Sequence, residues 1–221
     1  MERRAFTLGL AAATALGALG SAPRQARAQT DMPTPWGAAG PFEIETLTGV
    51  WTDAARNREV PWLMRLPVAK APPAPMVVYS HGLGGSREGG ARLSARLASH
   101  GYAVAHLQHA GSDVAIWGGV RPQIDRIDRG ALARQVADPR VSLARFADVP
   151  FAVGRIRAMA GEALAGRLDT TRMAMAGHSF GALTTQVAAG QIFPGGASLP
   201  VDAFSAFVAM SPSGDRAGND R

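Results

Sequence analysis

The chain has 221 residues, a formal charge of +6 and no cysteine, so thiol nucleophiles, Cys-ligated metals and disulfides are excluded. It is long enough for one domain with a substantial core. Its 22 arginines and the single Lys70 are interleaved with acids, as in REGGARLSAR and DRIDRGALAR. No basic stripe with aromatics appears, which argues against nucleic-acid binding.

The opening, MERRAFTLGLAAATALGALGSAPRQARAQT, sets Arg3 and Arg4 ahead of a weakly apolar run from Phe6 to Gly20 and a small-x-small pattern at Ala26-Arg27-Ala28. This predicts an export signal over residues 1–28, cleaved after Ala28. The arginine pair and the Ala/Gly-rich run point to the twin-arginine route, with the export machinery as partner and a periplasmic or secreted destination. The run is too short to span a bilayer, so no stable membrane span is expected. Loss of the leader removes four arginines and one glutamate and lowers the formal charge to +3. Residues 29–41 (QTDMPTPWGAAGP) read as a linker ahead of a domain over 42–221.

Within that domain, Phe42 to Trp51 and Arg58 to Leu66 read as paired strands across a turn at Thr52–Asn57, with Pro61 arguing for an edge position. Met76–Ser80 is a short apolar run of the kind buried on both faces. A helix follows from Glu88 to His100, with Leu93, Leu97 and Ala98 on one side and Gly101 closing it. Tyr102–Leu107 is the next buried strand. Residues 109–145 are polar and arginine-rich, with Trp117 and only short helix-like pieces. Asp148–Leu164 reads as a longer helix, Arg172–Ala176 as a strand, Ala182–Gly190 as a helix and Ala203–Met210 as a last strand. Two leading strands followed by strand–helix units predict an α/β fold, a mainly parallel sheet with helices on both faces.

Two glycine-rich turns lie beyond strand ends, where active sites of such sheets are built. Gly177-His178-Ser179-Phe180-Gly181 runs from strand to helix, so Ser179 is the candidate nucleophile, its hydroxyl thrown clear at a helix N-terminus. His81-Gly82-Leu83-Gly84-Gly85 follows the first buried strand. A tetrahedral oxyanion needs two backbone donors, and Phe180 and Leu83 are the candidates. A phosphate loop does not fit, because the spacing is not G-x-G-x-x-G and the sole lysine is Lys70. His81 reads as a structural hydrogen-bonding residue. His106 and His109 are spaced for a metal but lack a third ligand, so no metal or cofactor is expected. Phe180, Leu83 and Trp117 are candidates for lining an acyl pocket.

REVPWLMRLP, VVYSHGLGG, ASHGYAVAHLQHAGSD and MAGHSFGA, taken in order, resemble the α/β-hydrolases, and among them the predicted dienelactone hydrolases and platelet-activating-factor acetylhydrolase-like proteins. The resemblance covers about residues 42–214. It implies a serine hydrolase of carboxylic esters working through an acyl-enzyme at Ser179, with Leu83 and Phe180 as oxyanion donors and a small or lipid-like ester as substrate. True dienelactone hydrolases place a cysteine where this chain has Ser179, which shifts the expectation from lactones to esters. In this family the order is Ser, acid, His, yet His81, His100, His106, His109 and His178 all precede Ser179. The acids after it are Asp202, Asp215 and Asp220, and Asp215 is a weak candidate for the catalytic acid. The expectation is therefore a hydrolase domain lacking its last strands and helices, with the catalytic histidine beyond the C-terminus and AFSAFVAM left as an exposed hydrophobic edge. The alternative is an inactive remnant that binds acyl ligands. A peptidase or acyltransferase is a third possibility, since an elbow does not choose the acyl acceptor.

Overall fold

The computed structural model describes residues 37–68, 71–118, 123, 128–192 and 198–212; the leader and Asp215 lie outside them. Among the described residues six strands form one sheet in the order β1-β2-β4-β3-β5-β6. The hairpin β1 (Ile44–Asp53) and β2 (Arg58–Pro67) joins antiparallel to β4 (Ala103–Leu107), whereas β3 (Ala74–Ser80), β4, β5 (Leu168–His178) and β6 (Phe204–Met210) run parallel. β2 is thus interior, against the edge position that Pro61 suggested. Pro61 lies just outside Trp62–Arg65, the part of β2 that pairs with β4, so its missing N–H breaks no bond on that side, and its carbonyl accepts Gln108 N–H.

Helix α1 (Ala91–Ser99) covers one face of the sheet, over Val77, Tyr79, Val104 and Ala176. It buries Ser94, Ala98 and Ser99, while Leu93 is exposed. The opposite face carries α3 (Pro139–Gly161) and α4 (Phe180–Ala188) over the main core, where Val149, Ala152, Val153 and Ile156 meet Met64, Met76, Val78 and Met175. A short 3₁₀ turn at Val114–Trp117 and helix α2 (Arg129–Ala137) fill the region where no long element was expected.

Helix α3 starts well before the predicted Asp148. Asp138 caps it by accepting Arg140 N–H, and Pro139 occupies the first turn, where a missing N–H is harmless. Among the described residues β6 pairs only with β5 and leaves Phe207 and Val208 exposed, as the sequence suggested. At the end of the sheet where the parallel strands begin, Gly40 N–H and Phe42 N–H bond Ser99 and the His100 ring bonds the Ala38 carbonyl. Among the described residues no helix is long and apolar enough to cross a membrane.

Candidate active site

Ser179 sits between β5 and α4 with φ 55° and ψ −115°, a backbone state that a non-glycine residue holds only when its surroundings impose it. The neighbours that impose it are close. Its N–H donates to the Met210 carbonyl at the end of β6, at 2.9 Å. A Cβ on Gly181 would stand 2.0 Å from the Ser80 carbonyl oxygen, and one on Gly177 2.1 Å from the Gly181 carbonyl oxygen. The two glycines therefore let α4 start directly against the ends of β3 and β5. Ser179 is half-buried and, with Leu83, Gly82, Tyr79 and His178, lines a pocket of about 250 Å³.

The loop carrying Leu83 is held from several directions. Gly84 N–H donates to Ser112 O at 2.8 Å, Gly85 N–H to Gly82 O at 3.0 Å, and the Trp117 indole to Gly84 O at 3.0 Å. Trp117 thus stands behind the loop, whereas the sequence had suggested that it lines the pocket. The Phe180 side chain also leaves the pocket: it is buried, with its ring under the Arg145 guanidinium at 4.6 Å. Its backbone still belongs to the first turn of α4, where N–H groups have no partner within the helix. Among the described residues, neither Leu83 N–H nor Phe180 N–H is engaged by another protein group.

His81 is a structural residue, as its position suggested. Its Nε2 accepts His109 N–H at 3.2 Å, so the proton resides on Nδ1, which donates to the Gly82 carbonyl at 2.7 Å. Burial, and next the Arg145 charge, hold its pKa well below the usual value, so the ring stays neutral.

A second serine lies beneath this surface. Ser80 ends β3, opposite Gly177 of β5, and its Oγ is 3.0 Å from His109 Nε2. His109 Nδ1 donates to Asp148 Oδ2 at 2.9 Å, and Arg58 and Arg56 bond the same carboxylate. Burial lowers the His109 pKa to about 4, and the hydrogen bonds from His109 and Arg58 hold Asp148 at about 2 despite its burial. Ser80, His109 and Asp148 form a Ser–His–Asp series with no solvent access. His106 has other neighbours, its ring lying 4.8 Å from the ring of Tyr79. Among the described residues no His or carboxylate bonds Ser179 Oγ, and no cluster suited to a metal occurs.

Residues 52–124 match the family model described as platelet-activating factor acetylhydrolase, isoform II. A protein described as a dienelactone hydrolase, from Klebsiella pneumoniae subsp. pneumoniae MGH 78578, is 18% identical with a TM-score of 0.52, over 77% of this chain and 62% of its own. A ferulic acid esterase from Streptomyces cinnamoneus is 26% identical (TM-score 0.43, 65% of this chain and 54% of its own). An acetyl xylan esterase from Paenibacillus sp. R4 is 20% identical (TM-score 0.46, 68% and 50%). No curated protein matches the chain. The strand order, the strained strand-to-helix serine and the likeness to the dienelactone hydrolase structure give the chain the α/β-hydrolase fold. Within that superfamily it is similar to the platelet-activating-factor acetylhydrolase and dienelactone hydrolase group. It spans about half the length of the two esterases.

Proposed function

We propose that this chain carries the nucleophile and oxyanion hole of an exported serine hydrolase acting on small or lipid-like carboxylic esters. The observation that carries the reading is Ser179, held at φ 55° at the start of α4 and facing a pocket it shares with Leu83. In the reaction, Ser179 Oγ gives its proton to a general base, which later returns it to the leaving alcohol, and bonds the ester carbonyl carbon, whose oxygen becomes an oxyanion facing Leu83 N–H and Phe180 N–H. Collapse of that intermediate expels the alcohol, which takes up a proton, and leaves an acyl-serine. Water then attacks the acyl carbon and releases the acid. The matched acetylhydrolase family and the fold support ester chemistry.

A second reading, a binder of acyl ligands without turnover, is favoured by one observation: the described histidine that holds a carboxylate, His109, serves Ser80 and not Ser179. A fluorophosphonate probe separates the two. Labelling of the 221-residue chain that disappears in Ser179→Ala supports the hydrolase, and folded protein that takes no label supports the binder. Export rests on the Arg3-Arg4 leader. A chain with both arginines replaced by lysine should remain in the cytoplasm with the leader attached, and its arrival in the periplasm would remove the twin-arginine route.

A further inference from the structure

Arg145 is a charged residue on the otherwise mainly apolar inward stripe of α3, and its side chain is wholly buried. Its donors go to neutral oxygens: Nε to Thr184 Oγ1 at 2.7 Å, Nη1 to Ser112 Oγ at 2.9 Å, and Nη2 to the His81 carbonyl. A guanidinium buried on neutral acceptors is costly, and an apolar side chain would fill the same stripe more cheaply. Burial lowers its pKa to about 9, which leaves it charged at neutral pH.

Those contacts fall into two sets. One reaches the loop of Leu83: the His81 carbonyl adjoins Gly82, and Ser112 in turn accepts Gly84 N–H through its own carbonyl. The other reaches the elbow helix: Thr184 Oγ1 donates to the Phe180 carbonyl at 2.9 Å, and the guanidinium lies over the Phe180 ring. Oxyanion donors act only when both are held within about 0.5 Å of the working geometry. Leu83 and Phe180 stand on segments far apart in the chain, each held by one of these two sets.

We infer that Arg145 is a positioning residue that fixes the spacing between the two halves of the oxyanion hole, by bridging the His81–Gly84 loop to the Phe180–Thr184 turn. This rests on the role proposed above for Ser179. Lysine offers no planar fork and can serve one set but not both, so the inference separates Arg145 from a residue that only fills space or supplies charge.

The test uses Arg145→Lys, Arg145→Met and Thr184→Val in the full chain, with amide hydrogen exchange read by segment beside stability in urea. Expected is exchange faster by about tenfold or more at residues 81–85 and 178–184 in Arg145→Lys, with the β1–β2 hairpin within about twofold of the parent. Thr184→Val keeps Arg145 and the core volume and should loosen the α4 half, which keeps the test decisive if Arg145→Met does not fold. For phosphonylation of Ser179, the rate at saturating probe should fall about 10²-fold in Arg145→Met, while half-saturation moves by less than about threefold. Exchange that rises uniformly with lost stability, or stays unchanged in both segments, overturns the inference. If the parent takes no label, the hydrolase reading fails separately, and the exchange pattern still decides whether Arg145 couples the two segments.

Discussion

Ser80 and Ser179 end neighbouring parallel strands, and the chain treats them in opposite ways. Ser80 has a histidine at 3.0 Å, backed by a carboxylate at 2.9 Å, but no solvent access. Ser179 has a strained backbone, a pocket and a helix N-terminus, but no described histidine on its hydroxyl. The contrast separates the parts of a nucleophile that are often treated as one. Hydrogen-bond order alone makes Ser80, His109 and Asp148 look catalytic, yet an ester carbonyl cannot reach Ser80. Asp148, shared with two arginines, serves there as a structural anchor between α3 and the β1–β2 hairpin.

The largest expected effect is positional. Peptide mapping after fluorophosphonate treatment should find the adduct on Ser179 and none on Ser80, and an adduct on Ser80 would show that the interior opens to solvent. Next is Asp148→Asn. It leaves His109, Arg56 and Arg58 around a neutral amide, and breaking a buried charge pair in this way costs about 3–5 kcal/mol. Urea denaturation at neutral pH measures the loss, and a change below about 1 kcal/mol would mean that Asp148 is not the anchor.

Acid should weaken the buried series before it touches ordinary carboxylates. His81, His106 and His109 all have folded pKa values below the usual 6.5, the last two at about 4, chiefly because of burial. The unfolded chain therefore binds more protons below pH 6.5, and stability falls as pH drops from there towards 4. Each histidine contributes a slope of up to about 1.4 kcal/mol per pH unit. The lowered Asp148 adds a loss only below its unfolded value of 3.8. Denaturation midpoints between pH 7 and 4.5 test this, and a flat profile would contradict the neutral, buried histidines. The smallest effect is Ser80→Ala, which strips His109 Nε2 of its donor and should cost about 1–2 kcal/mol in the same assay.

How much of this was legible in the sequence follows from how local each feature is. The elbow at Gly177–Gly181 and the His81–Gly85 loop are short and sit next to apolar strands, so the succession of elements along the chain and Ser179's position could be read directly. The buried network could not, because Arg58, His109 and Asp148 meet only after folding. A trace did exist: Arg145 and Asp148 fall on the same stripe as Phe146, Val149 and Ala152. With the expected start of α3 at Asp148, those charges were left outside or at the edge of the helix. Read as buried partners, they would have pointed to the network.

The hydrogen bonds that fasten residues 38–42 to Ser99 and His100 lie at the end of the sheet where the parallel strands begin, opposite the pocket. An attachment made at Gly37 itself thus starts on the far side of the sheet from Ser179. Coupled to a solid support at that residue, the protein should keep its pocket turned to the bulk liquid. A large acyl ester could then approach without passing the linkage.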